Sequence, residues 1–325
     1  MSCLVAEGEV KQLLKDKGYQ KRYLLQGKLK EMAKSPNVEA LERDGFVVIR
    51  QTLKPEEVEK LRASCQQVTA MARAGKWPNV RTLPKQFPPW NVDEGKNPAE
   101  AGIWGVQGLM HPNMLDNDLF TATYFSDKLI NPTKELLGCE DDELVMELFN
   151  LLVRPDHDFE LRWHRDDISE KATSEEELER LNKPAWHTQW NLSLYDDASL
   201  IVVPGSHKRA RTDEERNADP FAKGLDGELH VKMHPGDVVF YNNNILHRGA
   251  YDSQKERMTL HGSVGHVKGE SLRARNVLQH GLRDWIDQCD FSKVPDSERE
   301  RAEGMRQRLI ELGRKSGDVG YSLQG

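Results

Sequence analysis

His164 and Asp166 stand two positions apart in the stretch RWHRDD, just after an apolar, strand-like run. In an extended chain residues i and i+2 face the same way. Both donors can therefore aim at one point while Arg165 aims away. A metal held this way needs a third ligand, and the best candidate is His247 in YNNNILHRG, at the end of another strand run. Two histidines and one carboxylate on one face of an octahedral ion are the donor set of non-haem iron(II) sites with open positions. A 2-oxo acid can take two of those positions by chelation, and dioxygen (O2) the third. The far carboxylate of the oxo acid then needs a cation. Arg257 follows His247 by ten residues, past a turn-like AYDSQKE. Antiparallel neighbours would set it beside the His247 strand, pointing into the same cavity. A guanidinium binds a carboxylate through two parallel charge-assisted hydrogen bonds. Thr259 shares the face of Arg257 and offers a hydroxyl.

Short strands must carry these groups. From residue 142 onward the runs ELVMELFNLLVRP, HTQWNLSLYD, SLIVVPGSH, GELHVKMHPGDVVFYNNNILHRG and RMTLHGSVGHV are apolar or alternating, with Pro, Gly, Asn and Asp between them. This spacing predicts an all-β barrel or sandwich. Helical periodicity over 8–35 predicts one or two amphipathic helices. GFVVIR reads as a strand, and Pro55 with Glu56 and Glu57 opens a helix over about 55–72. Residues 73–118 lack periodicity and read as a long irregular segment of the kind that often carries function. Helices return after 270. The reading is one domain: an N-terminal helical extension over 1–37, a β core over 38–266 and a C-terminal helical segment over 267–325. The insertion ISEKATSEEELERLNKP interrupts the strands beside Asp166. Ser174 and Glu177 have capping-box spacing there. With few apolar residues, the insertion reads as a solvated connector or a lid.

Composition narrows the function. The 325 residues carry a formal net charge of −7, which leaves no basic footprint for nucleic acid. No apolar run is long enough to span a membrane, and the N-terminus lacks the apolar stretch of a secretory signal. The four cysteines are scattered and form no C-x-x-C pair, so a reducing, cytoplasmic setting is expected. Eight of the 11 histidines lie between His164 and His266, which places any metal chemistry there. Trp163 could wall a pocket or fill the core. His207 reads as a strand-end residue bonded to a loop, while His261 and His266 read as structural or as supports behind the site's ligands.

With these pieces in order, the chain resembles the phytanoyl-CoA dioxygenase (PhyH) family of Fe(II)/2-oxoglutarate-dependent oxygenases. The resemblance rests on ALERDGFVVIRQTLKPEEVEKLR, WHRD, SLIVVPGSH, GDVVFYNNNILHRG and RMT, over roughly residues 38–266. It implies a mainly β fold with flanking helices around a double-stranded β-helix (jelly-roll, cupin-like) core. It also implies that His164, Asp166 and His247 bind Fe(II), and that Arg257 and Thr259 bind 2-oxoglutarate. Gln189 matches a position that often touches the co-substrate. Where the family usually has Asn-Gly before the PGSH strand, this chain has DDASL. The family acts on small molecules, including acyl thioesters, amino-acid derivatives, alkaloids and terpenoids. The expected partners are accordingly a small-molecule substrate, no nucleic acid and no membrane, with the chain a monomer or homodimer. The expected reaction is hydroxylation, or desaturation or cyclisation, with release of succinate and CO2. Two rivals stay open. A cupin-type isomerase or hydrolase would not need Arg257, and a non-catalytic binding module would not need three metal ligands.

Overall fold

The computed structural model describes residues 34–82, 102–269 and 271–315. By its internal contacts the chain divides into two units, Met1–Glu39 and Ala40–Gly325. Only the last residues of the first unit are described. The helices read over 8–35 therefore fall almost wholly outside the described residues, as does 83–101 within the segment read as irregular.

The described elements begin with α1 (Pro36–Asp44), β1 (Phe46–Ile49) and α2 (Pro55–Arg73). Next come β2 (Val80–Thr82) and β3 (Ile103–Val106), then α3 (Asn117–Phe125) and α4 (Asp127–Leu137). The main run of strands is β4 (Leu144–Val153), β5 (Phe159–Glu160), β6 (His187–Ser193), β7 (Leu200–Val202), β8 (Leu229–His230), β9 (Val238–Tyr241), β10 (His247–Tyr251) and β11 (Met258–His266). It is interrupted by α5 (Ser174–Leu181) and α6 (Asp213–Asn217), and α7 (Ser271–Val277) and α8 (Asp296–Lys315) follow it. The helix expected from Pro55 is present. Strands β2 and β3 lie inside the stretch read as irregular. At three and four residues they are too short to show a period.

Seven strands form one sheet in the order β1-β9-β6-β11-β4-β3-β2, and four form a second in the order β5-β10-β7-β8. All pairs given a register are antiparallel. This is the expected mainly β jelly-roll with flanking helices. Among the described residues, no helix is long and apolar enough to cross a membrane.

Alternation on the larger sheet sorts core from site. On β6, Trp190 and Leu192 join the main apolar cluster, and on β11 Met258, Leu260 and Val264 do the same. That cluster includes Phe120, Tyr124 and Phe125 of α3 and Ala302, Met305 and Leu309 of α8. The Trp190 ring lies across β11: a Cβ on Gly262 would come within 2.3 Å of it. The intervening residues His187, Gln189 and Asn191 on β6, with His261 and Ser263 on β11, line a cavity on the opposite face. A face that buries so many polar groups must give each a partner or a ligand.

Candidate metal centre

The stretch around His164 is not part of a named strand, yet it is held as one. The His164 amide donates to the His247 carbonyl at 3.0 Å, and the His247 amide donates back to the His164 carbonyl at 3.0 Å. Two residues on, the Asp166 amide donates to the Asn243 carbonyl at 3.0 Å. This antiparallel bridge brings the two imidazoles together, with ring centroids 4.3 Å apart. Their Nε2 atoms lie 3.4 Å and 3.6 Å from Asp166 Oδ1. One ligand atom from each of His164, Asp166 and His247 falls within 4.8 Å of the others.

The tautomers follow from the partners. His164 Nδ1 lies 2.7 Å from the Arg162 carbonyl, and His247 Nδ1 lies 2.8 Å from the Ile245 carbonyl. A carbonyl only accepts, so each Nδ1 carries the proton and each Nε2 keeps its lone pair for a cation. Burial pushes the His247 imidazole down to about 4, and the charge of His164 adds to this, so it is neutral at pH 7. Burial alone would raise the Asp166 carboxyl. The charges of His247 and His164 and the Gln189 hydrogen bond outweigh it and hold the group well below the usual carboxylate range. Two imidazoles that present Nε2 beside one carboxylate fit a divalent cation.

Arg165 does aim away. Its buried guanidinium donates to the carbonyls of Ser206 (2.9 Å), Arg209 (3.0 Å) and Asn244. It thus ties the His164–Asp166 stretch to the PGSH turn and to the segment before His247. Gln189 Nε2 donates to Asp166 Oδ2 at 3.1 Å, which leaves Oδ1 facing the imidazoles.

The Arg257 expectation needs one correction. Residues 252–256 do not close a hairpin. Strand β10 lies in the smaller sheet and β11 in the larger, so the turn crosses between sheets and Arg257 approaches from the facing wall. It still lines the same cavity, of about 1080 Å³, as the three candidate ligands. Its Nε donates to Asp197 Oδ2 at 2.9 Å, and the Thr259 hydroxyl donates to the same oxygen at 2.7 Å. The Thr259 hydroxyl is thereby committed to Asp197. Asp197 Oδ1 accepts the Ser199 amide (2.7 Å) and hydroxyl (2.5 Å). Burial would raise the Asp197 carboxyl, but the Arg257 charge outweighs it and pulls it down to about 2. Arg257 stacks on Tyr251, 4.3 Å above the ring centroid. Its Nη1 is buried with no hydrogen-bond partner. A buried cationic N–H left open beside a candidate metal site fits the carboxylate of a chelating oxo acid.

Asp197 escaped sequence reading. Its signal was present in DDASL, since Arg257 and Thr259 on one face call for a shared buried acceptor. His187 shares the inward face of Gln189 at spacing i, i+2 and lines the cavity. Trp163 belongs to the core: it packs with Ile201, Val203, Leu225 and Leu246, and its Nε1 donates to the Ala222 carbonyl at 2.9 Å. The His207 ring bonds the Glu42 carbonyl at 3.0 Å, so its partner is helix α1 and not the expected loop.

The insertion beside Asp166 is better anchored than its composition suggests. The N-cap is Thr173 with Glu176, one residue earlier than expected. The shift turns Glu177 inward, where its side chain is fully buried. It accepts Arg211 Nε at 2.6 Å and Arg216 Nη2 at 2.7 Å, and pairs with Arg165 Nε at 3.4 Å. An ionic anchor replaces the missing apolar contacts.

The family model described as phytanoyl-CoA dioxygenase (PhyH) matches residues 41–259. No curated protein sequence matches the chain. Among solved structures, AviO1 from Streptomyces viridochromogenes Tue57 superposes with a TM-score of 0.51 at 19% identity, covering 72% of this chain and 95% of that one. EctD from S. alaskensis, determined with 2-oxoglutarate and 5-hydroxyectoine, gives 0.51 at 17% identity, covering 73% and 78%. HygX from Streptomyces hygroscopicus, determined with nickel, 2-oxoglutarate and hygromycin B, gives 0.51 at 17% identity, covering 72% and 87%. At these identities the likeness is one of fold.

Proposed function

The chain belongs to the phytanoyl-CoA dioxygenase family and is a non-haem iron, 2-oxoglutarate-dependent oxygenase; from that premise we propose that it hydroxylates a small-molecule metabolite in the cavity between its sheets. His164, Asp166 and His247 hold the Fe(II), and Arg257 binds the far carboxylate of 2-oxoglutarate through its open Nη1. Iron with 2-oxoglutarate and O2 supplies C–H oxidation, one oxygen atom entering the product and the other the succinate formed with CO2. Desaturation or cyclisation of the substrate would draw on the same site.

The residues of the chain do the positioning. The backbone bridge sets His164 beside His247, the Nδ1 bonds to the Arg162 and Ile245 carbonyls fix both rings, and Gln189 fixes the Asp166 plane. Asp197 and Thr259 keep the Arg257 guanidinium in place, so Thr259 and Asp197 act through Arg257. Such preorganisation spares the site reorganisation on binding. Two bound compounds, 5-hydroxyectoine in EctD and hygromycin B in HygX, encourage the choice of a small molecule and a role in secondary metabolism.

The observation that carries the reading is the convergence of three ligand atoms in one cavity with Arg257, the far nitrogens of the two imidazoles being already committed to carbonyls. Anaerobic titration with Fe(II) should show one site, and O2 uptake and succinate release should both require 2-oxoglutarate. His247→Ala should lose iron binding and both activities. Full iron binding and turnover in that variant would remove the assignment.

A further inference from the structure

The cavity has a second built corner, at the end away from Arg257. Ser263 lies six residues along β11 from Arg257, about 20 Å at the rise of a strand. It pairs in register with Gln189, and Gly265 pairs with His187. Across β11 on the other side stands Glu147 of β4, only 1% exposed. A Cβ on Gly265 would meet Glu147 Oε1 at 2.6 Å, so the carboxylate rests against the strand backbone where only a glycine leaves room. Arg273, from α7, donates Nε to Glu147 Oε1 at 3.0 Å and Nη2 to Oε2 at 2.6 Å.

This pairing uses the side edge of the guanidinium. Its end, formed by Nη1 and the second N–H of Nη2, is not committed to Glu147, and the Arg273 side chain is 27% exposed where it lines the cavity. Two parallel N–H groups on a plane locked by a buried carboxylate match an oxyanion bidentately. His187 lies beside them. It is 8% exposed and lines the cavity, and its buried Nε2 has no hydrogen-bond partner. Both Arg273 and His187 feel the charge of Asp166, so this corner adjoins the metal centre. An arginine, its locking glutamate and an unpartnered imidazole are more than a helix end needs for packing, and the co-substrate already has Arg257.

We propose that this corner anchors the primary substrate, and that the substrate carries an oxyanion, a carboxylate or a phosphate, seated on the Arg273 fork with His187 beside it. The proposal rests on the oxygenase reading of the cavity. With 2-oxoglutarate on Arg257 and the oxyanion on Arg273, the bond to be oxidised would be held over the iron from two sides. Glu147 and Gly265 are then positioning residues, and His187 and Arg273 touch the substrate.

The test uses the full chain under argon, saturated with Fe(II) and 2-oxoglutarate so that Arg257 is occupied. Benzoate, phenyl phosphate and benzyl alcohol are titrated separately by calorimetry, with quenching of Trp186, which lines this part of the cavity, as a second readout. One of the two oxyanions should bind at least tenfold more tightly than the alcohol, and which one does so tells carboxylate from phosphate. Arg273→Gln should erase that preference while the affinity for 2-oxoglutarate stays within twofold. Because the single change strands Glu147, the Glu147→Gln/Arg273→Gln double variant is measured beside it, since replacing both partners of a buried pair is far milder. Oxyanions binding no better than benzyl alcohol, or a preference that survives in the double variant, would overturn the proposal. Loss of 2-oxoglutarate affinity in the double variant would assign Arg273 to the co-substrate and overturn it as well. Failure of the unaltered protein to bind Fe(II) and 2-oxoglutarate would instead strike the oxygenase reading.

Discussion

Asp197→Asn isolates the anion that holds Arg257. The amide keeps an oxygen for the Thr259 hydroxyl, so shape and that hydrogen bond persist while the charge and the bonds accepted from Ser199 go. Arg257 and Asp197 side chains are 8% and 3% exposed, so the variant leaves a nearly buried cation uncompensated. Breaking such a pair costs about 3–5 kcal/mol, and the retained hydrogen bond argues for about 3. In a domain of this size each kcal/mol moves Tm by roughly 2–4 °C, so the ligand-free variant should melt about 6–12 °C lower. Adding 2-oxoglutarate brings a carboxylate back to Arg257. The ligand should therefore raise the Tm of the variant more than that of the unaltered protein, and its Kd should hold or tighten. The pH dependence has a definite sign. The Asp197 carboxyl titrates near 3.9 when unfolded and at about 2 when folded. Its contribution is thus fully present above pH 4 and is lost as pH falls through 2. Its depression corresponds to on the order of 2 kcal/mol. Denaturant unfolding at pH 5 and pH 2.5 should show the stability gap between the two proteins narrowing. A Tm within 2 °C of the parent without ligand would refute the reasoning, as would a 2-oxoglutarate affinity that falls as far as when Arg257 itself is removed.

Arg257→Ala should raise the KM for 2-oxoglutarate at least tenfold, because truncating one partner of a buried charge-assisted contact costs about 2–5 kcal/mol; steady-state kinetics at saturating substrate would check this. Glu177→Ala leaves Arg165, Arg211 and Arg216 without their shared anion and should cost about 3–5 kcal/mol in denaturant unfolding. In the unaltered protein the same anchor should keep amides 168–184 equally protected from hydrogen exchange with and without substrate, whereas a mobile lid would gain protection only when substrate binds. Gly262→Ala drives a methyl group into Trp190, and overpacking of this kind should lower stability by about 1–3 kcal/mol, visible as a lower thermal midpoint.

Much of the candidate site could be read along the chain because local spacing governs it. A period of two settled that His164 and Asp166 share a face, that Arg165 does not, and that Arg257 and Thr259 go together. The ordered motifs fixed the family and so the jelly-roll. Parity on β6 also held the inward stripe of His187, Gln189 and Asn191, of which the family resemblance singled out only Gln189. What the chain could not reveal are the pairings between distant strands. Arg257 and Asp197 are 60 residues apart, and Arg273 and Glu147 are 126 apart. No local period links such partners, and only sheet order and register bring them together. The assignment of β10 and β11 to opposite sheets was hidden for the same reason, since a short turn can close a hairpin or cross between sheets. Glu177 shows the sharpest limit. A glutamate in a charged helix looks solvated by composition, yet one residue of cap position turns it inward onto three arginines drawn from the folded chain. Sequence determined which side chains could face the site; tertiary structure decided which of their charges are neutralised and which remain open for a ligand.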